Sequence, residues 1–394
     1  MPGKDPNLSR RKLFERTSKA AIAAAVGGGM LAKATGCAST GPVTEEMARE
    51  AVNYNPKMKY RRLGKTNLPV SEISLGGHWK NRKGGRFWGA FANDEVPDDV
   101  AKNRTEVMSA CIDAGVNYLD ITTAAECLCY GVALKGRREK MHVGADDHRL
   151  CIRNPDNCTV PGQTKNVEEC LRRLRTDYLD IWRVQARMDG TSPDEHMEVS
   201  IEAADKLRKA GKIRHFGVSS HNRKWLKHII EKYPGVEMVI FPCTATTRKA
   251  GQPITKENII EKVAYKWGED LDTSIFDSVR KHNVGVVTIK PFAGGNVFAS
   301  YKNKTGFPVM GVGIKEENDL ARLTLQCILT RFDEITCVVP GLTTVYEVDN
   351  AARASYLRNL AMTPAEQAWL ERVTAERLAC LPEDYKWLRD WDVI

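Results

Sequence analysis

The 394-residue sequence is 42% hydrophobic and 28% charged, the profile of a globular protein with ample material for a large core. Its formal charge of +9 is unevenly placed: residues 1–36 hold seven Lys/Arg against two Asp/Glu, so the remainder is only mildly basic. No stripe of basic residues interleaved with aromatics appears, which argues against a nucleic-acid partner. The eleven cysteines include no Cys-x-x-Cys pair and no Cys/His framework with zinc-like spacing.

The chain opens on Ser9-Arg10-Arg11-Lys12-Leu13-Phe14, a twin-arginine motif, followed by a run of small residues from Ala20 to Leu31 that is too short and too weakly apolar to span a membrane. A basic start, a modest apolar stretch and a small-residue exit describe an export signal over residues 1–40, read by the twin-arginine translocase. Ala34-Thr35-Gly36-Cys37 resembles a lipobox, which would attach the exported protein to a membrane through Cys37; cleavage near Ala38-Ser39 without lipid is the alternative. The expected location is periplasmic or on the outer face of a membrane. Residues 41–57 are polar and read as a linker.

Two short β-like runs, Met58 to Leu63 and Leu68 to Leu75, flank Gly64-Lys65-Thr66-Asn67 and predict a hairpin. Eight short runs rich in β-branched residues then recur, at Ile73–Gly77, Val116–Ile121, Met141–Ala145, Tyr178–Val184, Ile213–Val218, Met238–Cys243, Val284–Ile289 and Ile335–Val339. Helical spacing fills the intervals, at Asn103–Ala114, Val167–Leu174, Ser200–Lys209, Arg223–Glu231, Ser274–His282 and Leu320–Leu329. Strands alternating with helices require a parallel sheet with right-handed crossovers, and eight such units predict a closed α/β (β/α)8 TIM barrel, here preceded by the N-terminal β-hairpin. An open doubly wound sheet would need a glycine-rich phosphate turn after its first strand, and Gly76-Gly77-His78-Trp79 is not one. The barrel is expected over residues 58–355, with a helical, aromatic extension over 356–394 placed either over the mouth or against the barrel wall.

In such a barrel the residues that end the strands are the candidates for chemistry. Here these include His78, Asp120, Asp146, Asp147, Gln185, Arg187, Ser219, His221, Thr244 and Lys290. The set offers bases, carboxylate anchors and an arginine, a mixture suited to a small polar, sugar-like substrate. Asp120 and Lys290 are also a possible ion pair inside the barrel. Cys127, Cys129, Cys151 and Cys158 cluster around His142, Asp146, Asp147 and His148 and read as a Cys151–Cys158 disulfide closing a short loop, a metal site, or free thiols.

Between residues 58 and 352 the sequence resembles the aldo-keto reductases. The segments that carry the resemblance are Tyr60-Arg61-Arg62-Leu63-Gly64-Lys65-Thr66, Ala114-Gly115-Val116-Asn117-Tyr118-Leu119-Asp120, Leu171 to Asp180, Gly211 to Ser219, Lys290-Pro291-Phe292-Ala293-Gly294-Gly295 and Val339-Pro340-Gly341. The resemblance implies an oxidoreductase that moves a hydride between NAD(P) and a small-molecule carbonyl. It also implies a catalytic tetrad of Asp, Tyr, Lys and His. Asp120 matches the first, but Ala125, Asp146 and Gln185 stand at the other three positions. Tyr130-Gly131 resembles the family's Tyr-Gly pair displaced by five residues, so an atypical set of Asp120, Tyr130, His78, Gln185 and Asp146 is expected. On the cofactor side the resemblance points to Ser219, Ser220, Lys290, Gly294, Gly295, Gly341, Thr343, Thr344 and Asn350, with Tyr346 where an arginine for the 2′-phosphate of NADP is common. A barrel that has lost the reductase chemistry and binds a small ligand, or serves as an accessory protein, is the alternative; a metal-dependent lyase or hydrolase using Met141–Arg149 is a weaker one.

Overall fold

The computed structural model describes residues 43–79, 94–249, 274–301, 315–392 and 394. The expected export signal with Cys37, most of the long loop after Trp79 and most of the loop after Thr244 lie outside them.

The stretch read as a linker is part of the body. A one-turn helix, α1 (Glu45–Arg49), is capped by Thr44, and Ala51 behind it is buried. Asn53 Nδ2 donates to Val116 O at 3.2 Å, and Tyr60 Oη accepts from Asn55 N at 2.9 Å. Its polar side chains satisfy backbone groups at the underside of the barrel, a role that composition does not distinguish from that of a solvated linker.

β1 (Tyr60–Arg62) and β2 (Pro69–Ser71) form the predicted antiparallel hairpin. Gly64 turns at φ +49°, and a Cβ there would lie 2.2 Å from Gly285 N, so only glycine lets the hairpin reach the barrel floor. Arg61 fixes the hairpin by bonding the buried Glu72 at 2.7 Å and the carbonyls of Leu329 and Ile335.

Eight parallel strands follow: β3 (Leu75–Gly76), β4 (Tyr118–Ile121), β5 (His142–Ala145), β6 (Leu179–Gln185), β7 (Ile213–Ser219), β8 (Met238–Pro242), β9 (Gly285–Ile289) and β10 (Cys337–Val338). They pair in sequence order, and a parallel bridge between Ile73 and Val338 closes the ring into the expected barrel. Every predicted run carries a strand, trimmed by one or two residues at about half of the ends, while β6 and β7 each run one residue further, to Gln185 and Ser219.

The helices outside this ring are α2 (Asp98–Asp113), α3 (Ala124–Ala133), α4 (Val160–Leu174), α5 (Asp194–Lys209), α6 (Arg223–Lys232), α7 (Ile275–His282), α8 (Lys315–Arg331), α9 (Val345–Tyr356) and α10 (Pro364–Ala379). α2, α4, α5 and α8 start earlier than their apolar spacing suggested. Polar or proline-bearing first residues, such as Asp194-Glu195 of α5, hide these starts from apolar spacing, although Met197 already joins the buried face.

Two cores separate cleanly. The larger lies between the strands and the helices. The smaller fills the barrel and comprises Leu63, Val70, Tyr118, Ile181, Met238, Ile240, Val287, Cys337 and Val339. Since strand side chains alternate, the inward rows lead from this floor to the mouth: Tyr118 to Asp120, Ile181 to Arg183 to Gln185, Gly144 to Asp146, Gly217 to Ser219. Gly144 leaves room for Tyr118, whose Oη would stand 2.4 Å from a Cβ at that position.

The C-terminal extension lies over the mouth. A 3-10 segment (Glu383–Trp391) sets Trp387 against the His221 ring at 3.9 Å between centroids and Trp391 against Phe241 at 5.1 Å. Trp391 Nε1 donates to His221 O at 3.0 Å, and Ser274 Oγ donates to Ile394 O at 2.9 Å. Stacked aromatic rings at these spacings hold the segment as a wall of the site.

Candidate active site

A cavity of about 270 Å³ opens at the C-terminal ends of the strands. His78, Asp120, Gln185, Ser219, His221 and Lys290, all strand-end candidates, line it together with Gly294, Gly295 and Gly341.

Its floor is a buried ion pair. Asp120 receives two hydrogen bonds from Arg183, Nε to Oδ1 and Nη2 to Oδ2, each at 2.7 Å; Nη2 also reaches Ile121 O at 3.2 Å. Arg183 is 1% exposed, and its Nη1 has no hydrogen-bond partner among the described residues. Burial opposes the guanidinium charge, but Asp120 more than restores it, so Arg183 stays protonated. The ion pair considered between Asp120 and Lys290 is therefore replaced by one with Arg183. Lys290 instead stands over the Tyr385 ring at 5.8 Å, on a left-handed backbone at φ +61°.

At the rim, His78 Nδ1 lies 2.8 Å from Glu126 Oε1 and 3.0 Å from Thr122 Oγ1. Glu126 is the third residue of α3. Its Oε2 accepts from Thr122 N at 2.7 Å and Thr122 Oγ1 at 3.0 Å, while its own N–H bonds the cap Thr123. Burial works against the carboxylate charge, but His78 and the two Thr122 donors outweigh it, and Glu126 is held below the ordinary glutamate range. A Cβ at Gly77 would lie 2.1 Å from Glu126 Oε2, so the glycine preceding His78 makes room for the carboxylate.

Burial pushes the His221 pKa down to about 3, assisted by Lys290, Arg153 and His78, so it is a neutral ring at physiological pH. Asp146 is fully buried beneath the cavity and does not line it. It accepts from Asn166 Nδ2 at 2.6 Å, and Gln185 Nε2 stands 3.5 Å away. Burial raises Asp146 to about 6, against the pull of Arg183.

Tyr130 is not in the cavity wall either. It lies mid-helix in α3, fully buried, with its hydroxyl donating to Gly76 O at 2.8 Å and its ring edge-on to Trp79. Burial raises its pKa, and its proton is committed to the backbone. The displaced Tyr-Gly pair is thus a packing feature: Tyr130 is buried between its helix and the barrel wall and does not reach the mouth. On the cofactor side, Ser220 Oγ is engaged with Gly190 O. Thr343 and Thr344 serve the start of α9, where Glu347 accepts from both backbone amides, and Asn350 lies within α9. Ser220 lines the cavity beside Ser219, whereas Thr343, Thr344 and Asn350 are not among its lining residues.

Cys151 and Cys158 are free thiols; Cys151 Sγ donates to His148 O at 3.3 Å and Cys158 Sγ lies 3.6 Å from Ile152 O. No group of three or more His, Cys, Asp or Glu with metal-holding geometry occurs among the described residues, which leaves the metal-dependent alternative without a ligand set there.

Sequence reasoning missed Arg183 and Glu126. Each had a signal: Arg183 is the one charge of β6 that shares the inward parity of Gln185, Asp180 lying at the opposite parity, and Glu126 is the one charge in Ala124-Ala125-Glu126-Cys127-Leu128-Cys129.

A closed parallel barrel with a charged cavity at its C-terminal rim is the architecture of a (β/α)8 barrel enzyme. A family model described as the aldo/keto reductase family matches residues 87–354, and the chain belongs to this family of NAD(P)-dependent oxidoreductases. It is 24% identical over 340 residues to the L-galactose dehydrogenase of Arabidopsis thaliana, covering 81% of this chain and 94% of that protein. It is 23% identical over 220 residues to the uncharacterized oxidoreductase YqkF of Bacillus subtilis, covering 52% of this chain and 64% of the relative's length. Among solved structures, it is similar to an aldo-keto reductase of Bacillus halodurans in its holo form, with a TM-score of 0.53 at 21% identity, covering 80% of this chain and 96% of that one. An aldo-keto reductase of Klebsiella pneumoniae in complex with NADPH gives 0.52 at 19% identity over 79% and 94%.

The raised Asp146 pKa has a stability consequence. The folded state keeps this proton to higher pH than the unfolded chain, so stability is favoured below the ordinary carboxylate range and declines as pH rises from about 4 to about 6. Asp146→Asn keeps the hydrogen bond from Asn166 and removes the titration. Urea midpoints measured across that window are expected to move in favour of the variant as pH rises; a difference that stays flat contradicts the assignment.

Proposed function

We propose that the chain is an exported oxidoreductase that moves a hydride between a nicotinamide cofactor and a carbonyl or alcohol carbon of a small, polar, sugar-like substrate. Its acid/base group is His78 backed by Glu126, in place of the family's tyrosine. The observation that carries this is the His78–Glu126 pair at the cavity rim above a protonated Arg183.

The donor set fits the cofactor. Ser219 and Gln185 offer a hydroxyl and an amide for a carboxamide, and Lys290 offers a cation near Gly294 and Gly295, whose φ values of +65° and +92° admit a close backbone approach by phosphate oxygens. When bound, the cofactor supplies or accepts the hydride. The protein's part is to handle charge and protons. Glu126, ionised at neutral pH, holds the proton on His78 Nδ1, which leaves Nε2 as the atom that gives or takes the substrate proton. Arg183 Nη1 is the donor for negative charge developing on the substrate oxygen, and Asp120 fixes its orientation so that little reorganisation accompanies reaction. Loss of the tetrad lysine is thereby answered: the cation beside Asp120 comes from β6, two strands along from Asp120 on β4.

His78→Asn is expected to lower kcat by roughly 10²- to 10⁴-fold while cofactor affinity, read by nicotinamide fluorescence, is unchanged. Glu126→Gln lowers kcat less. Equal turnover in wild type and His78→Asn refutes the assignment.

Export completes the reading. The twin-arginine motif at Arg10-Arg11 precedes the barrel, and this route carries folded proteins, which suits one that takes up its cofactor in the cytoplasm; Cys37 is the proposed lipid attachment point. Replacing Arg10 and Arg11 by Lys is expected to keep the protein in the cytoplasm, as measured by cell fractionation. Unchanged export of that variant excludes the twin-arginine route.

A further inference from the structure

The cavity has more positive charge than its own chemistry uses. Among the described residues its wall carries Arg153, Arg183, Arg187 and Lys290 against two carboxylates, Asp120 and Glu126. Both carboxylates are committed, Asp120 to Arg183 and Glu126 to His78. Arg153, in the loop after β5, is held by one bond from Nε to Ala186 O at 3.2 Å. Arg187, two residues beyond β6, reaches only the exposed Asp189 at 3.4 Å and Thr191 Oγ1 at 3.5 Å through Nη2. Its Nε is buried with no hydrogen-bond partner among the described residues. A surface pair as long and exposed as Arg187–Asp189 neutralises little.

The placement of these two arginines separates them from the cofactor side. They follow the third and fourth strands of the barrel, whereas Gly294, Gly295 and Gly341 follow the seventh and eighth. In a ring of eight strands those two arcs face each other across the mouth. The neutral His221, its proton discouraged by burial and by Lys290 and Arg153, reports the same excess of positive charge.

From this geometry, and resting on the oxidoreductase reading above, we infer that the substrate bears an oxyanion group, which Arg153 and Arg187 hold on the side of the mouth opposite the cofactor glycines. A carboxylate or a phosphate supplies that chemistry, since either presents paired oxygens to guanidinium N–H groups. The substrate class is then a sugar acid, a related hydroxy or keto acid, or a sugar phosphate, with its reacting carbon toward His78 and Arg183.

The test is a binding measurement that needs no turnover. Gluconate, glucose 6-phosphate and glucose are titrated at matched ionic strength into the full-length protein and followed by tryptophan fluorescence, to which Trp79 and Trp387 near the cavity contribute. Gluconate or glucose 6-phosphate is expected to bind at least about tenfold more tightly than glucose, one charge-assisted contact being worth that much. Which of the two binds better identifies the group. In Arg153→Gln/Arg187→Gln, with an unchanged thermal midpoint, both anions fall to the affinity of glucose. Equal affinity of all three ligands for wild type, or an anion preference that survives in the double variant, overturns the inference. Anion binding without nicotinamide turnover on any acid would leave the inference standing and count against the oxidoreductase reading instead.

Discussion

The Asp120–Arg183 ion pair is the constraint around which the site is arranged. Two charges in the centre of a barrel are tolerated only when they are paired and their remaining hydrogen-bonding groups are satisfied or put to use. Asp120 takes both Nε and Nη2 of Arg183, which fixes the guanidinium plane and leaves Nη1 as the remaining donor beneath the cavity. The same cation lies within influence of Asp146, whose burial nonetheless raises its pKa to about 6. Gln185, one step further up the strand, completes the inward row, so a single strand sets the charge of the floor and a neutral amide above it.

Around this floor the fold supplies two further walls. The first is the start of α3. Thr123 caps that helix by accepting from Glu126 N while Thr122 donates to the Glu126 carboxylate that faces His78, so the helix N-terminus and the proton-carrying pair are one construction. Gly77 permits it, since any side chain there would displace the carboxylate. The second is the C-terminal 3-10 segment. Tyr385 rests against Gly294, and Trp387 covers His221, which keeps that ring dry and neutral. The cavity is thereby bounded by the last residues of the body as well as by the loops after the strands.

The barrel was legible in the sequence because its eight apolar runs and the turns between them recur on a scale that backbone geometry dictates. Strand ends, helix first turns and the packed segment before the hairpin were not, because polar residues there satisfy backbone groups and do not contribute to apolar periodicity. At the site, His78, Asp120, Gln185, Ser219 and Lys290 were found by their place at strand ends, and all five line the cavity. Tyr130 was assigned by similarity to a dipeptide, and helical geometry buries it between α3 and β3, short of the cavity. Arg183 and Glu126 were missed because motif positions drew attention to their neighbours, Gln185 and Ala125. A lone charge at inward parity inside an apolar strand, or in the first turn of an apolar helix, is costly to bury and marks a functional group more reliably than either motif.

The central claim is that this site works with a bound nicotinamide. It is tested most directly by purifying the protein gently after export through its own signal, denaturing it, and identifying any released dinucleotide by absorbance and mass. Where none is released, NAD(H) and NADP(H) are titrated back into the intact protein. The account predicts stoichiometric cofactor in the first case or saturable binding in the second. A protein that releases none and binds none contradicts it.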